Sequence, residues 1–80
     1  MYVVYALKFI DNEIYVGMTD GLEERISEHK KGRVKSTKNK GRFKIIYVEK
    51  CLDRSSARAR EKYWKSGYGK AILKNIQIFL

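Results

Sequence analysis

The apolar positions of this chain follow two different periods, and the change between them divides it into elements. From Tyr2 to Ile10 the run Tyr-Val-Val-Tyr-Ala-Leu-Lys-Phe-Ile is rich in residues that fit a pleated surface, and both alternating sets are apolar. The pattern predicts a strand covered on both faces. Asp11 and Asn12 supply turn chemistry before a second short apolar run, Ile14 to Met18. The two runs therefore read as a hairpin with Tyr5 and Tyr15 on neighbouring strands, and whether the rings share a face depends on the pairing register. Phe43 to Lys50 alternates as a third strand, with Phe43, Ile45 and Tyr47 on one face and Ile46 and Val48 on the other.

Between and after these runs the spacing is helical. Asp20, with Glu23 three positions on, forms a capping pair for a helix that begins near Gly21 and turns Leu22 and Ile26 inward. Arg25 and His29, four apart, occupy a second stripe of the same helix. Asp53 or Ser55 caps a second helix reaching about Lys65, with Ala57, Ala59, Tyr63 and Trp64 as packing surface. Ser66-Gly67-Tyr68-Gly69 breaks it, and from Lys70 a last helix carries Ile72, Leu73, Ile76, Phe79 and Leu80 at helical spacing. The fold class expected is α/β (α+β): a three-stranded antiparallel sheet flanked by helices, in a single domain over 1–80.

Eighty residues bury only about 60% of the surface their unfolded chain exposes, so one small core is expected. The single Cys51 excludes an intramolecular disulfide, and with no Cys/His cluster for structural zinc, hydrophobic packing holds the fold. Cys51 itself reads as a small buried hydrophobe. No apolar stretch is long enough to span a membrane and no signal peptide is visible, which makes the cytoplasm the expected address.

Charge changes the picture more. With 18 Lys plus Arg against 9 Asp plus Glu, the formal charge is +9, a field that attracts polyanions. Nucleic acid is the partner expected; no helix pairs a clean apolar face with a purely basic one, so a membrane surface is not. Eight basic residues and no acid fall between Lys30 and Lys44, among them Lys30, Lys31, Arg33, Lys35, Lys38, Lys40 and Arg42. The segment reads as a solvated loop, mobile when unoccupied, whose side chains contact phosphates and carry no sequence code.

The order of these residues resembles the GIY-YIG nuclease domain, the module found at the N-terminus of the bacterial excision-repair nuclease subunit UvrC and in many small stand-alone proteins. Val3-Val4-Tyr5 stands where the family has Gly-Ile-Tyr, and Tyr15-Val16-Gly17 stands for Tyr-Ile-Gly. Arg25 and His29 fall where the first helix carries its arginine and its histidine or tyrosine. Glu61, within Arg60-Glu61, looks like the family's metal-binding glutamate, and Asn75 resembles the asparagine near the domain's end. Val3 departs from the first glycine, and Met18 from the lysine that some members carry.

The resemblance implies a metal-dependent endonuclease that hydrolyses DNA phosphodiester bonds, in repair or recombination. Glu61 would hold one divalent ion, Mg or Mn, and Arg25 would neutralise the nonbridging oxygens of the transition state. Tyr5 or Tyr15 would orient and deprotonate the water, Tyr5 being favoured, with His29 hydrogen-bonded nearby; Tyr47 and Asn75 are supporting candidates. A phenol with pKa near 10 is ionised in only about one molecule in a thousand at pH 7, so the base needs cations close to its ring. The alternative is a nucleic-acid-binding module with the same fold and no chemistry, and a third reading has the domain depend on a protein partner for targeting. Without the resemblance, Glu61 would be a surface ion-pair partner, Tyr47 a half-buried strand residue, and His29 and Asn75 ordinary polar residues of a helix surface.

Overall fold

The strand Tyr2–Phe9 (β1) is apolar on both faces because it is the middle strand of the sheet. The computed structural model describes residues 1–76. Around β1 it places Ile14–Thr19 (β2), Leu22–Lys30 (α1), Phe43–Cys51 (β3), Arg54–Lys65 (α2) and Gly67–Lys74 (α3). The sheet is antiparallel throughout, in the order β2-β1-β3. One face carries Tyr5, Leu7 and Phe9 against Ile26 of α1, with Tyr15, Leu22 and Phe43 around them. The other carries Val4, Ala6, Ile14 and Val16 against Ala57 and Trp64 of α2 and Leu73 of α3. Burying each such large side chain contributes about 1.5–3 kcal/mol, so a chain this short gains by using both faces of one sheet. Among the described residues no helix is long and apolar enough to cross a membrane.

The hairpin forms as its turn residues suggest, with Asn12 taking a positive φ of 69°, a conformation that asparagine tolerates. β3 departs from simple alternation. Ala6 pairs with Tyr47 but Leu7 pairs with Ile45, which leaves Ile46 as an extra residue in a bulge. Phe43 and Ile45 therefore lie on the α1 face and Tyr47 on the α2 face, so the expectation that all three share one face is corrected. On its own face Tyr47 stacks at 4.8 Å from Trp64 and donates to Glu49 at 2.8 Å. Arg60 grips the same carboxylate through Nε at 2.7 Å and Nη2 at 3.2 Å, and Trp64 Nε1 donates to it at 3.1 Å. Those bonds, Arg60 foremost, hold the Glu49 carboxyl below its ordinary range and fix α2 against β3.

The helix ends follow local chemistry with two corrections. α1 starts after Gly21, which makes no side-chain cap bond; Thr19 Oγ1 instead accepts from Gly21 N at 3.0 Å, so Asp20 is not the cap. Asp53 caps α2 by accepting from Ser56 N at 2.7 Å, and Ala57 and Trp64 turn inward while Ala59 is exposed. The break after α2 is confined to Ser66, whose hydroxyl accepts from Gly69 N at 3.1 Å and caps α3 at once. α3 therefore begins at Gly67 rather than Lys70. Gly69 permits this tight corner, because a Cβ there would lie 2.7 Å from Trp64 Cα. Ile76 packs partly on the core; Phe79 and Leu80 lie outside the described residues.

Candidate active site

The β1–β2 register sets Tyr5 opposite Gly17 and Leu7 opposite Tyr15. Directly opposed residues share a face, so Tyr5 and Tyr15 lie diagonally on the same one, with ring centroids 6.2 Å apart. Gly17 is what lets Tyr5 lie flat across β2. A Cβ at Gly17 would sit 2.6 Å from the Tyr5 hydroxyl and 2.7 Å from its Cζ, closer than real contacts allow.

α1 crosses this face and delivers His29 one turn after Arg25. The Tyr5 hydroxyl lies 2.8 Å from His29 Nε2, and His29 Nδ1 lies 2.8 Å from Thr37 Oγ1. All three residues are buried. Tyr15 and Phe43 wall the imidazole, with centroids at 5.0 and 6.1 Å. Burial, with the Arg25 charge second, holds His29 below its ordinary value of 6.5, so it is neutral at pH 7 and keeps one donor and one acceptor nitrogen. Burial also pushes the Tyr5 phenol up to about 12, against the lowering influence of Arg25. The phenolate is thus strongly disfavoured before substrate arrives.

Arg25 links this buried triad to the surface. Its guanidinium is close enough to Tyr5 that the phenol raises its pKa, while Nη1 meets Glu28 Oε1 at 3.3 Å. It also lines a cleft of about 510 Å³ between the start of α1, the end of β2 and the start of α2, where it faces Arg54 and Arg58. Arg58 Nη1 is 3.6 Å from Glu61, and Lys65 Nζ is 3.2 Å from it. Glu61 is buried on the inward stripe of α2 between Ala57 and Trp64, in the layer across the sheet from α1 and outside the lining of the Arg25 cleft, whereas its two partners are exposed.

Tyr47 is excluded from this constellation by the sheet itself, which separates it from Tyr5. Asn75 is the exposed C-cap of α3, on the layer opposite α1. The basic segment is also not an open loop. Val34 and Thr37 are buried, and bonds from Arg33 N to Glu28 O, Thr37 N to Val34 O and Lys40 N to Thr37 O wind it into turns. Lys40 ties it to Glu13 at 2.6 Å. Lys30, Lys31, Arg33, Lys35, Lys38 and Arg42 remain exposed. Thr37 is the residue that sequence reasoning missed: a threonine amid lysines carries no signal, and only the folded turn brings it to His29.

The GIY-YIG catalytic domain family matches residues 1–76. The chain belongs to the GIY-YIG family. This GIY-YIG domain is 39% identical over 66 residues to the UPF0213 protein CPE1444 of Clostridium perfringens, covering 81% of this chain and 71% of that one. It is 37% identical over 59 residues to the UPF0213 protein OB0043 of Oceanobacillus iheyensis, covering 72% and 69%. The solution structure of the UPF0213 protein BH0048 from Bacillus halodurans superposes with a TM-score of 0.57 at 28% identity, covering 91% of this chain and 82% of that one. The fold of the GIY-YIG domain is thus shared with a solved relative, and its family is one of nucleases.

Proposed function

We propose that this protein is a metal-dependent endonuclease that hydrolyses DNA phosphodiester bonds. The observation that carries the reading is the buried Tyr5–His29–Thr37 chain ending beside Arg25. A module that only binds nucleic acid has no use for a neutral imidazole held between two hydroxyls. Burying three polar side chains is costly unless each is satisfied, and here each is.

Tyr5 at about 12 is a poor base if it must ionise first. A relay avoids that state. With its proton directed at His29 Nε2, Tyr5 takes a proton from the attacking water as it passes its own to His29, and Thr37 Oγ1 accepts from the Nδ1–H of the resulting imidazolium. Arg25 binds the nonbridging phosphate oxygens, stabilising the charge that builds in the transition state. Tyr15 packs edge-on against the imidazole and holds its orientation.

Among the described residues no three His, Cys, Asp or Glu side chains gather as a complete cage, so an ion held by Glu61 would take most of its ligands from water and substrate. Mg²⁺ or Mn²⁺ is commonly held by one or two carboxylates, with waters and substrate phosphates completing the shell. Glu61 offers one such carboxylate, and its exposed partners Arg58 and Lys65 can move aside. When bound, the ion would supply charge stabilisation to the leaving oxygen. The test is incubation with plasmid, linear, single-stranded and branched DNA, with and without Mg²⁺ or Mn²⁺. Cleavage is expected from the parent and from neither Tyr5→Phe nor Glu61→Gln, both of which should stay folded. Metal-independent cleavage, or full activity in either variant, would refute the assignment.

A further inference from the structure

At the Thr37 end of the triad the surface opens into a second cavity, of about 410 Å³. Lys30, Lys38 and Arg42 stand around it, Phe43 forms a wall, and His29 and Thr37 close its inner end. No acid lines it, and among the described residues none of the three cations has an ion-pair partner. The Arg25 cleft differs, since Asp20, Glu24 and Glu28 share its walls. The second cavity is therefore the more purely anion-attracting of the two, without any metal. Its aromatic wall is also fixed: the half-buried Phe43 ring is braced edge-on by Phe9 at 5.6 Å and by His29 at 6.1 Å.

We infer that this cavity is a subsite for an unpaired nucleotide next to the scissile bond, its phosphate held by Lys30, Lys38 and Arg42 and its base laid on Phe43. The strand path rests on the nuclease reading. Arg25 and His29 are separated by four residues of α1, about 6 Å along the axis, a length comparable to one nucleotide step of an extended strand. A phosphate at Arg25 would put its neighbour near the C-terminal end of α1, where the exposed Lys30 stands at the cavity's rim. A base-paired nucleotide cannot enter without leaving its stack, so the subsite favours single-stranded, flapped or mismatched substrates. Stacking on an aromatic ring is tolerant of base identity, so it selects strand form and not sequence.

The protein in EDTA, where nothing is cut, can be titrated with inorganic phosphate, thymidine 5′-monophosphate, a short oligothymidylate and a blunt duplex, followed by amide NMR. Thymidine monophosphate is expected to shift Gly32, Thr37, Gly41 and Phe43 at concentrations where phosphate does not. Phe43→Leu should weaken oligothymidylate binding by about 5- to 150-fold and leave duplex binding nearly unchanged. Because Phe43 also packs on the core, the exposed pair Lys38→Ala/Arg42→Ala serves as a second variant and should lose the monophosphate shifts while keeping the fold. Equal shifts by phosphate and monophosphate, or a folded Phe43→Leu that binds oligothymidylate like the parent, would overturn the subsite. Binding is read without metal, so either adverse result in a protein that still cuts DNA removes the subsite alone. Binding as expected in a protein that never cuts removes the nuclease reading instead.

Discussion

Gly17→Ala adds one methyl group and tests the geometry of the whole site. The new carbon would lie 2.6 Å from the Tyr5 hydroxyl, 2.7 Å from Cζ and 3.0 Å from Cε1 of Tyr15. To regain ordinary van der Waals separation the Tyr5 ring must retreat by roughly 1 Å. Tyr5 has no exposed surface, so this motion compresses α1 and lengthens the 2.8 Å contact with His29. Overpacking costs about 1–3 kcal/mol, and leaving the buried hydroxyl and imidazole poorly paired costs about 1–3 kcal/mol more. The lower chain entropy of unfolded alanine returns about 0.4–1 kcal/mol. A net loss of about 1–5.5 kcal/mol is expected, a large part of the total for a domain of this size. Urea unfolding should show it as a lower midpoint at unchanged slope. Single-turnover cleavage should fall by about 100-fold or more, the usual consequence of misplacing a reacting group by an ångström. In a Tyr5→Phe background part of the clash is gone, so Gly17→Ala should cost less there, by a coupling of about 0.5–3 kcal/mol. A Gly17→Ala protein with the parent's midpoint and rate would show that the close approach is not what positions Tyr5.

Three further outcomes follow from the same geometry. His29 is held below its ordinary 6.5, so as pH falls the unfolded chain binds the proton first; the stabilisation from neutral His29 is complete above about 6.5 and shrinks below it until His29 itself protonates. The difference in Tm between parent and His29→Gln should narrow from neutral to mildly acid pH, and a pH-independent difference would refute the burial argument. Arg25→Lys keeps the charge but loses the planar fork, and single-turnover cleavage should slow by about 10- to 1,000-fold with little change in fold or ground-state binding; an unchanged rate would place Arg25 outside the chemistry. If about five cations of the Lys30–Lys44 segment contact phosphates, the logarithm of duplex affinity should fall with the logarithm of salt at a slope of about −4 to −5, and a slope near zero would remove the segment from the interface.

What the sequence made legible was the part set by local period. The double-faced apolar run of β1 marked a strand covered on both faces, and the four-residue interval of Arg25 and His29 placed both on one helical stripe. The common face of Tyr5 and Tyr15 needed the hairpin register, which the two-residue period alone does not fix. The bulge at Ile46 has no glycine or proline to announce it, so alternation carried Tyr47 to the wrong face. Thr37 was hidden because its role depends on Val34 folding a lysine-rich segment back into the core. Ser66 looked like part of a four-residue break, since a hydroxyl that caps the following helix leaves the same trace as one that ends the preceding one.

The single extra residue at Ile46 makes β3 a strand with two reading frames. Its first half is written in phase with the α1 layer and its second half in phase with the α2 layer, so one strand serves the triad's wall at Phe43 and the Glu49 anchor of α2. Substitution at Ile46 leaves both frames intact. Deleting one residue there would merge them, sending either Phe43 and Ile45 or Tyr47 and Glu49 through the sheet to the opposite side. A shift of that kind would unseat a whole helix, so this short stretch should accept changes of side chain far more readily than changes of length.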